Sequence, residues 1–384
     1  MKKIDAELLD KRLSKTAEEQ IASEDLGAAE MIVKQEGKTV FHKLFGKASV
    51  DGPALPPNSV FRLASMTKPV TALAVLLALD DGKVDLMDPV SDYIPHFAHM
   101  TVGHEENGEV VIDKASAGTV RVYHLLSHIS GIGSGSVLAP LLSKQPQTSL
   151  KDVAEYYGRM PLAFEPGCGQ AYSATAAFDV AARVVEIAEE EDFAAFIKRR
   201  IFDPIGMPDT TFAPTDEQWD RMVVMHGKNK EGRGIDSESA TRKGCVFASI
   251  NPNVYCAGGG LASTANDYSR FAETLLNEGV TPDGNRIIRW EICRKMHIPF
   301  CAEYFMMGDT QWGLGVRVIT KPGYRFGLEQ GCYGWSGAYG THFWVDPENR
   351  LTAVYMKNDS TDGGAGCRTA NRFEEDVTSC LTGS

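Results

Sequence analysis

The chain has 384 residues, of which 43% are hydrophobic and 23% charged. That is the balance of an ordinary globular protein and excludes a disordered or collagen-like one. At roughly 150 residues per domain the length suggests two or three lobes. Thirty-nine Lys and Arg against 51 Asp and Glu leave a formal charge of -12. An excess of this sign repels phosphate backbones and anionic lipid headgroups, so it argues against nucleic-acid and membrane-surface partners.

Taken in chain order, Lys2 and Lys3 are followed at once by Asp5 and Glu7, with no apolar run behind them. This is not the pattern of a secretory signal. Apolar positions at Ile4, Leu8, Leu9, Leu13 and Ile21 among charges predict an amphipathic helix over residues 5 to 24. Ala28 to Gln35 and Thr39 to Phe45, around Glu36-Gly37-Lys38, predict a β-hairpin. Ser65 to Leu79 predicts a helix apolar nearly all round, hence buried. Its run from Val70 to Leu79 is about half of what a membrane span needs. Residues 83 to 240 carry helical patterns at Leu150–Arg159, Ala174–Glu190 and Asp192–Phe202.

After Gly258-Gly259-Gly260 a helix is predicted from Ala265 to Leu276. Strands follow at Trp312–Ile319, Gly340–Val345 and Leu351–Met356, and a last helix spans about Asn371 to Cys380. Strands at both chain ends and helices between them imply an α+β fold. The hairpin would join the C-terminal strands in one antiparallel sheet. Residues 1–80 and 245–384 would form that lobe, and residues 81–244 an inserted, mainly helical one. The cleft between lobes is the default site. Eight cysteines without a Cys-x-x-Cys pair, and no export signal, predict reduced thiols and a cytoplasmic location.

Three segments carry candidate chemistry. In Ser65-Met66-Thr67-Lys68 the spacing of three puts both side chains on one helical face. A helix N-terminus there offers free N–H groups and positive potential to an oxyanion, and a neighbouring Lys can serve as base. Alone, Ser-x-x-Lys also fits a Ser N-cap beside a solvated Lys. Pro166 to Ala174 reads as a turn feeding a helix, and would hold the Tyr172 phenol at its edge as a proton shuttle or as plain packing. In Gly334-Trp335-Ser336-Gly337-Ala338, Gly337 allows close approach of a substrate and the Ala338 N–H can face an oxyanion.

This order of motifs resembles that of the penicillin-recognising serine hydrolases. The chain is most similar to their class C β-lactamase-like branch, especially the cytosolic esterases called family VIII. Val120–Gly131, Phe202–Phe212, Gly258–Tyr268 and Asp346-Pro347 share the likeness, which covers roughly residues 25 to 360. The resemblance implies a β-lactamase/penicillin-binding-protein-like fold, an antiparallel sheet flanked by helices with an inserted helical lobe. It implies Ser65 as nucleophile, Lys68 as its base and Tyr172 as proton shuttle and base for the deacylating water. The N–H groups of Ser65 and Ala338 would form the oxyanion hole, with Ala174, Trp335, Ser336 and Gly337 at the substrate.

Two departures from the branch's lactamases stand out. Ala174 occupies the place of an Asn, and Trp335 that of a Lys or His. A grip on an acylamino group and a cation for a carboxylate are both missing. The expected activity is therefore a carboxylesterase for short-chain or small esters, working without a cofactor on a small-molecule ester or amide. The alternatives are a class C-like β-lactamase, a D-Ala peptidase or D-aminopeptidase, or a non-catalytic relative that binds peptidoglycan or another ligand. Oligomeric state is not legible.

His96, His99 and His104 invite a metal reading, but Gly, Glu and Asn around them point to a solvent loop, and no metal is expected. His124 and His128 fall in a stretch that the resemblance assigns to a structural turn, with Gly131 to Gly135 at the pocket rim. Gly334 to Ala338 approaches the Gly-x-Ser-x-Gly elbow, but its fifth residue is Ala and only His342 follows, which rules out the Ser…Asp…His order of that fold.

Overall fold

The computed structural model describes residues 1–383 except 108, 134–148, 237–253, 302–307, 322–326, 360, 363 and 365. Helix α1 (Ala6–Ala22) leads into strands β1 (Ala28–Gln35) and β2 (Lys38–Gly46). Helix α2 (Thr67–Asp80) is followed by a hairpin, β3 (Thr101–Glu106) and β4 (Glu109–Ala115). Helices α3 (Leu150–Tyr157), α4 (Ala176–Glu189) and α5 (Ala265–Leu276) come next. Strands β5 (Thr310–Trp312), β6 (Arg317–Ile319), β7 (Tyr333–Ser336), β8 (His342–Asp346) and β9 (Leu351–Met356) precede helix α6 (Arg368–Thr378).

Among the described residues the main sheet has seven antiparallel strands in the order β5-β6-β7-β8-β9-β1-β2. Its centre joins the two chain ends: β9 pairs with β1 from Leu351↔Gln35 to Met356↔Glu30. Successive side chains of a strand point to opposite faces, and both faces here are covered. Leu9, Leu13, Met31, Val33, Trp344, Tyr355 and Phe373 form a core with α1 and α6 on one side. Ile32, Phe343, Val345 and Val354 join α2, α4 and α5 on the other. Helix α2 runs through that second core with every residue from Thr67 to Ala78 buried.

Four expectations shift. The helix expected from Ser65 begins at Thr67, after a 3₁₀ turn over Ala64–Met66. The single strand expected over Trp312–Ile319 is a hairpin, β5 and β6, closed by the Gly313 N–H donating to Val316 (3.0 Å). Its turn rests on α2, where a Cβ on Gly315 would stand 3.0 Å from the Lys68 carbonyl oxygen. The expected solvent loop around His104 holds the β3–β4 hairpin. The helix expected over Asp192–Phe202 is α-helical only over Phe193–Ile197, then widens into a π turn at Lys198–Phe202.

Candidate active site

The site is built where α2 begins. Ala64 sits in the left-handed region (φ 46°), a strained setting for a residue with a Cβ, costing on the order of 1–2 kcal/mol. Surrounding bonds over-determine it. The Leu63 N–H donates to the Leu261 carbonyl (2.9 Å), the Leu261 N–H to Thr67 Oγ1 (3.1 Å), and the Tyr268 hydroxyl to the Met66 carbonyl (2.8 Å). Ser65 is therefore presented by a turn fixed on several sides.

Lys68, one helical turn on, is fully buried. Its Nζ donates to the carbonyls of Ala174 (2.5 Å) and Gly258 (2.7 Å) and lies 3.2 Å from Ser65 Oγ. With two valences of the nitrogen aimed at main-chain oxygens, the one that remains faces Ser65. Gly258 must be glycine for this packing, since a Cβ there would come within 2.8 Å of Thr175 Cα.

Behind that carbonyl stands Asp179 of α4, whose Oδ1 accepts the Ala257 N–H at 2.7 Å. Burial pushes the Asp179 carboxyl up to about 7, against the opposing pull of the Ala257 N–H and of Lys68. The turn that carries Gly258 is thus held by a carboxyl from α4 and, through the Thr71 hydroxyl donating to the Ala257 carbonyl (2.7 Å), by α2.

Tyr172 lies in an aromatic setting. The Trp335 indole N–H donates to its hydroxyl at 3.1 Å. Its ring stacks on Trp312, with centroids 5.8 Å apart, and packs against His128 at 4.6 Å. Lys68 Nζ stands 5.0 Å from the centre of the Tyr172 ring. His128 brackets the tyrosine from both sides in sequence. Its carbonyl accepts the Ala171 N–H, and its Nδ1 accepts the Ser173 N–H, each at 3.1 Å. Burial and nearby Lys68 push His128 well below the usual imidazole range, so it is neutral. Its role is structural, as is that of His124, whose Nδ1 accepts the Arg121 N–H at 3.0 Å.

The end of β7 abuts the same turn. A Cβ on Gly337 would stand 2.2 Å from the Leu63 carbonyl oxygen, and Thr341 Oγ1 donates to that oxygen at 2.9 Å. Glycine at 337 is therefore dictated by contact between backbones. Among the described residues, neither the Ser65 nor the Ala338 N–H meets a protein acceptor.

Ser336, expected at the substrate, is a correction. Alternation puts it on the strand face opposite Trp335, where its Oγ pairs with His342 Nδ1 at 2.7 Å. Ala174, also expected there, turns its carbonyl to Lys68. Of the expected pocket rim, Ser134 and Gly135 lie outside the described residues. Two histidines of the metal reading are engaged separately, His96 beside Glu155 and Arg159, and His104 3.0 Å from Asp113, while His99 is exposed. Sequence reasoning missed Gly258, Asp179, His128 and Trp312 as parts of the site. Gly258, in a run of three glycines, and His128, in a stretch that shares the family likeness, carried a signal.

The family model described as Beta-lactamase matches residues 13–374. The chain belongs to this family, and its fold is the β-lactamase/penicillin-binding-protein-like one. Among curated proteins, Rv1367c from Mycobacterium tuberculosis is 30% identical over 86% of this chain and 85% of its own length. Esterase EstB from Burkholderia gladioli is 29% identical over 94% of both chains. Among solved structures, EstCE1, described as a hydrolase with promiscuous acyltransferase activity, superposes with a TM-score of 0.80 at 20% identity, covering 97% of this chain and 99% of its own. A family VIII carboxylesterase gives 0.73 at 20% identity and 97% of both chains.

Proposed function

We propose that this protein is a serine hydrolase that cleaves small carboxylic esters through an acyl-enzyme on Ser65. The observation that carries the reading is the placement of Lys68: buried, tied to two carbonyls, and 3.2 Å from the Ser65 hydroxyl. Family membership and the similarity to Esterase EstB support it.

In this reading Ser65 Oγ attacks the ester carbonyl carbon while Lys68 Nζ takes the hydroxyl proton. The carbonyl oxygen gains negative charge between the N–H groups of Ser65 and Ala338, which meet no acceptor among the described residues. The carbon–oxygen ester bond then breaks, and the alkoxide leaves with a proton delivered through Tyr172. Water, deprotonated through the same phenol, attacks the acyl carbon and releases the acid and Ser65. The Trp335 N–H holds the phenolic oxygen in place for both transfers. Trp335 and Gly337 border the substrate, and the wall of Trp312, Trp335 and Tyr172 suits an uncharged, apolar group.

The test is mass-spectrometric. A fluorophosphonate should leave one adduct on the Ser65 peptide and abolish p-nitrophenyl butyrate hydrolysis, as Ser65→Ala should. Hydrolysis that survives in Ser65→Ala, or an adduct on Ser336 or a cysteine, would end this reading.

A further inference from the structure

We infer that His342 and Glu374 are positioning residues for the oxyanion strand, acting through Ser336; this rests on the assignment of Ser65 and the Ala338 N–H above. Ser336 Oγ lies 2.7 Å from His342 Nδ1, and the two residues face each other in register across β7 and β8. His342 Nε2 lies 2.7 Å from Glu374 Oε1 of α6, an ion-pair distance although the carboxylate sits off the ring N–H line. None of the three is more than 5% exposed. Serine, histidine and carboxylate thus stand in a row, the order of a hydrolytic triad.

A second hydrolytic site is excluded by space. The void bordered by Trp335, His342, Trp344 and Glu374 is about 10 Å³, the room of a single water. No ester fits there. The row also lies on the α1–α6 face of the sheet, whereas Trp335 and the α2 turn with Ser65 lie on the other.

Its place in the strand gives it a different use. Ser336 is the last side chain before Gly337 and Ala338, and Gly337 has no side chain with which to anchor itself. The negative charge of Glu374 near Nε2 favours the tautomer with its proton on that nitrogen, and in that tautomer Nδ1 accepts the Ser336 hydroxyl proton. The hydroxyl then has one orientation, and the strand end is tied to α6 from behind while the Leu63 carbonyl meets it in front. An oxyanion donor works only if held within a fraction of an ångström of where charge develops. Holding it acts on the transition state more than on the bound ester, so loss of the tie should lower kcat and leave KM alone.

The experiment is a double-mutant cycle on p-nitrophenyl butyrate hydrolysis with Ser336→Ala, His342→Phe and the pair, alongside fluorophosphonate labelling of Ser65. His342→Phe should lower kcat about tenfold with KM within about twofold, and should cost less than about twofold once Ser336 is alanine. His342→Asn, which keeps an amide where Nδ1 stands, should recover most of the loss. Equal losses in both backgrounds, or a raised KM with kcat unchanged, would overturn the proposal. If His342→Phe does not fold, Glu374→Gln is run through the same cycle under the same criterion. Absence of label on Ser65 in the unaltered protein would instead sink the nucleophile assignment, so the two failures are distinguishable.

Discussion

Two main-chain carbonyls decide what Lys68 can do. Ala174 and Gly258 occupy two of its valences, so any proton it exchanges passes along the third, toward Ser65. Lys68 Nζ stands 5.0 Å from the centre of the Tyr172 ring, so a change of charge on one is felt by the other. Lys68→Ala and Tyr172→Phe should each lower kcat on the order of 10²-fold or more. Combined, they should lose far less than the product, because residues that act as a unit are not additive. Steady-state kinetics on the two single variants and the double settle this, and multiplicative losses would refute a shared role. Trp335→Phe keeps the apolar wall but removes the N–H that donates to Tyr172. One such bond is worth about 1 kcal/mol, so a fall in kcat of about five- to tenfold with little change in KM is expected. A fall in KM affinity alone would show that the indole only packs. At this scale the roles proposed for Ser65, Lys68 and Tyr172 could be read from the sequence because they rest on what the side chains are. The two carbonyls were not, since every residue has one and sequence does not say where it points.

Helix α4 contributes a carboxyl where a core residue would be expected. Asp179 is buried, and its folded pKa of about 7 lies above the ordinary carboxylate value. The fold therefore favours the protonated form. That preference is fully present below about pH 4, where both states are protonated, and is lost as the pH rises through 7. Asp179→Asn copies the neutral form and can still accept the Ala257 N–H. The variant's Tm should rise relative to the unaltered protein between pH 4 and pH 8, by an amount reflecting on the order of 2–4 kcal/mol. Melting curves across that range check it, and a constant difference would mean that the carboxyl titrates normally in the fold. Elements with one strong period were legible, as for α1, β1, β9 and α5. The β3–β4 hairpin was not, although Asn107-Gly108 is a hairpin signal, because Glu, His and Lys dominate its strands. The β5–β6 turn was hidden because Gly313-Leu314-Gly315 continues an apolar run, and only contact with α2 shows that it bends.

Across the whole molecule, the union of the two chain ends was legible, because the strands that can be read from the sequence lie near the termini, with helical patterns between them, and need partners. Charge was legible too, and it bears on substrate choice. A good lactamase must hold an anionic carboxylate; here Trp335 stands where a cation would serve, and the chain carries a formal charge of -12. A missing charge-assisted bond is worth roughly 1.5–3 kcal/mol, or about 10- to 100-fold in kcat/KM. An activated ester needs no such anchor, only the nucleophile and two N–H donors. Short-chain p-nitrophenyl esters should therefore be turned over well and nitrocefin slowly. The two should also respond differently to salt. The protein's negative field opposes the approach of an anion and ignores a neutral ester, and it is screened within about 10 Å at 0.1 M salt. Raising ionic strength from about 0.02 to 0.2 M should increase kcat/KM for nitrocefin by about two- to fivefold and leave that for p-nitrophenyl butyrate nearly flat. Measuring both substrates at both ionic strengths separates the contributions: the ratio at high salt reports the missing anchor, and the change with salt reports the field. Nitrocefin turned over faster than the best short ester, at either ionic strength, would overturn the preference for esters. A nitrocefin rate that fell with salt would mean that a local cation outweighs the net charge at the mouth of the site.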